Sequence, residues 1–391
     1  MTAPRNPRLP SVDALRGLVM ILMALDHIRD FFHSSAMHFQ PDDLARTTTA
    51  LFFTRWITHI CAPVFMFTAG LAAFLWFRRN RTKIQLSRFL WSRGLWLVLL
   101  EITVIRLAFT FGSGPIILTV LWALGWSMVI LGFLVYLPVR VLAAISLAVI
   151  ALHNLTDSLP ASKFGAAAWL WNVLHQPGLI RLGSTSVVIG YPLVPWFAVM
   201  AAGFCFGPIL LLDPAQRRRW MIGIGIAATV AFILIRAINI YGDPRPWSGQ
   251  TPGLMVLSFL RCTKYPPSLD FLLMTLGPAI LLLAWLETIR LSANNPMVVF
   301  GRVPLFYFVV HLYVIHGLAI LFALLRYGHA GFMLQPLPSM GGSLKLYPDN
   351  FGYSLGVVYG VWIAVVAALY PLCLWFAGIK NRRRDWWLSY L

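Results

Sequence analysis

The feature that most restricts this chain is a series of ten apolar runs, most of them about as long as a bilayer is thick. They fall at 13–33, 58–77, 90–110, 116–136, 141–153, 188–212, 220–240, 268–287, 297–325 and 354–378. The fifth is short and reaches span length only with flanking residues. Hydrocarbon offers no partners to backbone N–H and C=O groups, so such runs must satisfy them within helices. The expected fold is all-α, a polytopic integral membrane protein of about ten transmembrane helices forming a single domain over 1–391. Of the 391 residues, 59% are hydrophobic and 11% charged, a balance that excludes a soluble globular domain. The stretch 164–178 is amphipathic and reads as a surface or re-entrant segment.

The net charge of +18 follows topology rather than nucleic acid. Placing the N-terminus inside assigns 1–12, 78–89, 137–140, 213–219, 288–296 and 379–391 to the cytoplasm. These segments hold 16 Lys and Arg in 57 positions, against 9 in 118 for the opposite side. That asymmetry predicts cytoplasmic N- and C-termini. The runs Arg78-Arg79-Asn80-Arg81-Thr82-Lys83, Arg217-Arg218-Arg219 and Arg382-Arg383-Arg384 read as topology markers at anionic headgroups. Arg5 and Arg8 precede no small-residue cleavage site, and Arg16 and Asp26 interrupt the first apolar run, which reads as a retained helix rather than a signal peptide. The four cysteines show no metal or disulfide spacing.

The first run carries a polar stripe that a lipid-facing helix would not tolerate. Asp26, Arg29, Asp30 and His33 share one helical face, and His27 stands beside it within reach of Asp30. Topology puts this stripe in the outer half of the membrane, at the depth expected for His59 of the second run and for His311 and His316 of the ninth. A carboxylate beside an imidazole fixes its tautomer and raises its basicity, which suits a general base; the same groups suit a proton relay. Arg29 neutralising Asp26 or Asp30 is the purely structural reading. His311 shares a face with Tyr307, and no His-x-x-x-His or Cys-x-x-Cys pair suggests a metal. At the inner end, Arg16 suits a phosphate or a pairing with Asp13, and Gly17 permits close backbone approach. Glu101 and Arg106 lie deep in the third run on different faces, so each is expected to serve another helix. Arg236 and Asn239 are candidates for the same outer cavity. The outer segments 243–247 and 261–268 combine aromatic and basic residues, including Lys264 and Tyr265, in a pattern shared by sugar platforms and interfacial belts.

Ser11-Val12-Asp13-Ala14-Leu15-Arg16-Gly17, with the apolar run to Asp26-His27, resembles the first helix of the heparan-alpha-glucosaminide N-acetyltransferase family and its bacterial relatives. The likeness extends to Pro63-Val64-Phe65-Met66-Phe67-Thr68-Ala69-Gly70. The bacterial relatives are also similar over Lys264-Tyr265-Pro266-Pro267-Ser268 and over 300–307. The resemblance implies a multispan acyltransferase that binds acetyl-CoA from the cytoplasm and acylates an acceptor on the far side, directly or through a histidine. Arg16 and Gly17 match the first-helix motif, and His27 falls where the family has a polar residue near the reaction centre. The family's proposed active-site histidine follows the first helix on the outer side; His33 and His38 both fit that place, and spacing does not choose between them. The charged block Asp26-His27-Ile28-Arg29-Asp30 replaces a more neutral, Gly-rich stretch in the named enzyme.

The resulting expectation is an inner-membrane, multi-pass acyltransferase moving an acetyl or short acyl group from acyl-CoA to an extracytoplasmic sugar or glycan amine or hydroxyl. The catalytic candidates are His27, His38, Asp26, Asp30 and His311. Arg16 and Gly17 are candidates for CoA, and His33, His59, Lys264 and Tyr265 for the acceptor. No metal or nucleic acid is expected, the bilayer and the glycan are the partners, and a homodimer is left open. The alternatives are a proton-coupled transporter or flippase relaying protons through Asp26, His27 and Asp30, and a structural subunit whose polar groups only tie helices together.

Overall fold

The computed structural model describes residues 9–111, 114–183, 185–249, 251–338, 342–383 and 385–390; Arg5, Arg8 and Arg384 of the basic segments lie outside them. Helix α1 (Pro10–Phe32) opens on a proline, whose missing N–H costs nothing in a first turn. It is followed by α2 (Thr49–Thr58), α3 (Cys61–Phe77) and α4 (Lys83–Leu100), the last begun by a reciprocal cap between Thr82 and Gln85. A π-helical turn at Glu101–Ile105 leads into α5 (Arg106–Thr110). Strand β1 (Ile116–Leu118), α6 (Val120–Leu134), α7 (Val139–Leu152), α8 (Ala168–Leu174), β2 (Gly178–Leu182) and β3 (Thr185–Ile189) come next. The remaining helices are α9 (Trp196–Phe206), α10 (Pro214–Ile238), α11 (Pro252–Leu260), α12 (Leu269–Leu286), α13 (Pro296–Arg302), α14 (Pro304–Tyr327) and α15 (Leu355–Arg382).

Helices occupy all ten predicted runs. Among the described residues, six helical stretches are long and apolar enough to cross a membrane: 49–77, 139–156, 214–238, 269–286, 304–327 and 355–382. Three predicted boundaries need correction. The run 116–136 begins as β1, which pairs in parallel with β3, and turns helical only at Val120. The run 188–212 begins inside β3, and Pro192 and Pro195 delay its helix to Trp196. The run 297–325 is two helices because Pro304 cannot donate the bond that would carry α13 onward. The three-stranded sheet, in the order β1-β3-β2, is a departure from the all-α expectation. The amphipathic stretch 164–178 becomes a 3-10 turn, α8 and the start of β2 beside that sheet.

α1 is the hub of the bundle, in contact with α2, α3, α12, α13, α14 and α15. Helices in lipid gain nothing from hiding apolar surface from one another, so close backbone approach must hold them. A Cβ at Gly17 would sit 1.7 Å from the Met297 carbonyl oxygen of α13, and one at Gly301 would sit 1.8 Å from that of Asp13. The α3–α9 crossing repeats the device with Gly70 and Gly203. Glu101 fixes a third junction. Its buried carboxylate accepts from the Thr119 N–H and hydroxyl, at 2.9 and 2.6 Å, and from the Leu121 and Trp122 N–H groups, at 3.0 and 3.3 Å. It therefore caps the N-terminus of α6, the service to another helix that its burial demanded.

Candidate functional site

The centre of the site is a pair of imidazoles on α1 and α14. His27 Nδ1 lies 2.8 Å from His311 Nε2, and the rings stack at 5.0 Å. His311 Nδ1 is 2.9 Å from the Tyr307 carbonyl oxygen, one turn back on α14. A carbonyl only accepts, so Nδ1 of His311 carries the proton. In the neutral ring its Nε2 must then accept, and the donor is His27 Nδ1–H. His27 Nε2 is left with its lone pair, the configuration a general base needs. Phe109 and Phe308 stand edge-on to His27 at 6.0 and 6.2 Å.

His27 thus takes its orienting partner from α14, not from the carboxylates of its own helix. Asp26 is ion-paired to Arg29 at 3.0 Å and hydrogen-bonded to Arg55 of α2, and Arg29 also holds Asp30 at 2.6 Å. The neutralisation of both carboxylates by Arg29 considered from sequence is present, and Arg55 adds to it. Lys264 and Tyr265 lie within electrostatic reach of this cluster. His59 is buried against Phe271, their ring centroids 5.2 Å apart, with its Nδ1 unpartnered.

The other candidates lie elsewhere. His33 bonds to Ser35 just past the end of α1. His38 is exposed in a shallow depression with Arg326, Asp349 and Tyr353, and it does not join the His27 pair. His316 reaches the carbonyls of Ala108 and Met333, both at 2.7 Å, and ties α14 to its neighbours. Arg236 and Asn239 organise the outer loop: Arg236 donates to the carbonyls of Phe259, Arg245, Ser258 and Arg261, and Asn239 donates to that of Trp247. In that loop Asp42 pairs with Arg245 at 3.1 Å and Arg261 at 3.3 Å. Burial raises its carboxyl, but the two guanidiniums outweigh burial and hold it below the usual carboxylate range.

On the opposite end of the bundle opens a cavity of about 650 Å³. Arg16, Arg79, Arg93, Arg217, Arg302 and Lys380 line it, against Asp13 alone of the described carboxylates. Arg79, Arg217 and Lys380 belong to segments that topology assigned to one side, and Arg16, Arg93 and Arg302 to α1, α4 and α13. Deeper in, the walls are Met20, Phe65, Thr68, Leu121, Leu124 and Phe308. Arg16 lines the mouth while donating to the Gly301 carbonyl at 3.2 Å and standing 3.8 Å from Asp13. Gly17 is not in the lining; it is spent on the α13 contact. Sequence reasoning missed Arg55, Phe308 and most of the cationic ring. Arg79, Arg217 and Lys380 sat in separate inner segments, where a topology signal accounted for them, Arg93 and Arg302 lay within apolar runs, and nothing local announced their convergence with Arg16.

Fold and site together define a helical membrane protein with a cation-ringed cavity at one end and a hydrogen-bonded histidine pair toward the other. Residues 8–241 match the family model described as heparan-alpha-glucosaminide N-acetyltransferase, catalytic, and the chain belongs to that family of membrane-bound transferases. No curated protein matches the chain. The match spans α1 through α10, so His311, Phe308, Arg302 and Lys380 come from the part of the chain beyond it. Among the described residues no group of His, Cys, Asp and Glu is arranged to hold a metal ion.

Proposed function

We propose that this protein is an acyl-CoA-dependent acyltransferase of the inner membrane, spanning it about ten times with both termini in the cytoplasm. It passes an acetyl or short acyl group to the amine or hydroxyl of an extracytoplasmic sugar or glycan. The observation that carries the reading is the cavity, whose cationic mouth and apolar shaft end one phenyl ring from His27. Phosphates of CoA suit the arginines, and the thin pantetheine arm suits the apolar walls. From Arg16 to His27 is eleven residues of α1, about 16 Å of rise, so the thioester is carried to mid-membrane depth.

There the acceptor's nitrogen or oxygen attacks the thioester carbonyl carbon while its proton passes to His27 Nε2. The C–S bond breaks, the acyl group stays on the acceptor, and the CoA thiolate recovers the proton from His27. His311 holds His27 in the tautomer this needs. Lys264, Tyr265 and Asp30 receive the acceptor; the electrostatic reach of Lys264 and Asp30 to His27 supports this assignment. A transporter relay needs carboxylates that can take up and release protons. The pairing of Asp26 and Asp30 with Arg29 and Arg55 favours the enzyme reading.

The test uses inverted vesicles with radiolabelled acetyl-CoA outside and a glucosamine-containing acceptor inside. Label on the acceptor, lost by about 10²- to 10⁴-fold in His27→Ala and kept in His38→Ala, supports the proposal. Solute uptake driven by a pH gradient, with no label transferred, overturns it in favour of transport.

A further inference from the structure

The apolar end of the cavity stops short of the base. His27 does not line it, and Phe308 does. The Phe308 ring is buried, edge-on to His27 at 6.2 Å and to His311 at 5.7 Å. With Met20 and Phe65 from α1 and α3 and Leu121 and Leu124 from α6, it lines the apolar part of the cavity. We propose that Phe308 is the specificity-determining residue for the acyl group, the floor that admits a two-carbon chain beside His27 and turns longer chains away. The inference deepens the acyltransferase reading and rests on it.

The physical basis is the density of the surroundings. A thioester whose carbonyl reaches His27 Nε2 must place its acyl tail against the Phe308 ring or beyond it. Protein interiors pack with few voids, so each added methylene has to displace a wall atom. One methylene of misfit in an apolar pocket is worth roughly 10- to 200-fold in discrimination. Replacing phenyl by methyl removes the floor while leaving every hydrogen bond of the His27–His311–Tyr307 chain in place, because Phe308 makes none of them through its side chain.

The experiment compares wild type, Phe308→Ala and Phe308→Leu in proteoliposomes, with acetyl-, butyryl- and hexanoyl-CoA as donors and glucosamine as acceptor. Affinities of the three donors for the detergent-purified proteins are measured in parallel. The expected result is a wild type that prefers acetyl over butyryl by at least tenfold in kcat/KM. Phe308→Ala shifts that ratio at least tenfold toward butyryl, and Phe308→Leu falls between. Should Phe308→Ala fail to fold, the Leu variant and the binding series carry the comparison. Active wild type with an unchanged chain-length profile in the variants overturns the floor and leaves the acyltransferase reading intact. A uniform loss across all chain lengths also overturns it, since that is the mark of a merely structural ring. A wild type that transfers no acyl group from any donor sinks both.

Discussion

Removing the imidazole of His311 tests the tautomer argument most directly. In His311→Ala the His27 Nδ1–H, which donates across 2.8 Å in the native pair, loses its acceptor. A buried donor left without a partner costs about 1–3 kcal/mol. The ring escapes that cost by turning or by moving its proton to Nε2, and either change withdraws the lone pair that accepts the substrate proton. At 1.36 kcal/mol per factor of ten, the expected fall in kcat is roughly 5- to 150-fold. KM for acyl-CoA should hold within about twofold, because His311 does not line the cavity. His311→Gln offers a carbonyl oxygen at similar reach and should recover part of the loss. The assay is acetyl transfer to glucosamine by purified protein in proteoliposomes, with kcat and KM determined separately. A His311→Ala protein with native kcat, or with its defect confined to KM, would refute the reasoning; so would His311→Gln behaving no better than alanine.

Four further outcomes follow from the geometry. Gly17→Ala puts a methyl into the Met297 carbonyl, and overpacking of this kind costs about 1–3 kcal/mol, so the variant should elute aggregated or melt several degrees early in detergent while Gly360→Ala, in α15 with open space for a Cβ, does not. Glu101→Ala strips four hydrogen bonds from the start of α6 and should lower stability by about 2–4 kcal/mol, with Glu101→Gln milder because it keeps one acceptor oxygen; thermal unfolding measures both. Replacing Arg93 and Arg302 together by alanine should raise KM for acetyl-CoA at least tenfold, leave kcat nearly unchanged, and weaken the salt dependence of binding. Asp42 has a carboxyl held below its unfolded value of about 3.9, so its contribution is present above that pH and lost as pH falls through the lower folded value; Asp42→Asn should therefore be less stable than wild type by about 1 kcal/mol at pH 7, with the difference shrinking as the pH is taken below the unfolded value.

What could be read from the chain alone was governed by how local each constraint is. The helical character of the ten apolar runs was legible because apolar length is a local property and hydrocarbon permits few alternatives. Their ends were legible only where a local signal marks them. Pro304 visibly divides α13 from α14, whereas β1 and β3 look like the ends of helices until their pairing partner is known. Both were absorbed into apolar runs because Ile116-Ile117-Leu118 and Val187-Val188-Ile189 are as apolar as a membrane helix. The polar stripe on α1 announced a site, since buried charge is too costly to be idle. It did not say which groups would be consumed in holding the structure. Asp26 and Asp30 satisfy Arg29 and Arg55, so His27 is oriented by a histidine 284 residues away. That distance is why the pair was invisible: His27 and His311 each looked like one half of an incomplete motif. The cationic ring was hidden for the opposite reason. Arg79, Arg217 and Lys380 were already explained by a rule about membrane sidedness, and once the helices gather around α1 they meet Arg16, Arg93 and Arg302 at a single mouth. The basic residues of the sidedness signal and the cations that ring the cavity are therefore in part the same residues, read first along the chain and then across the bundle.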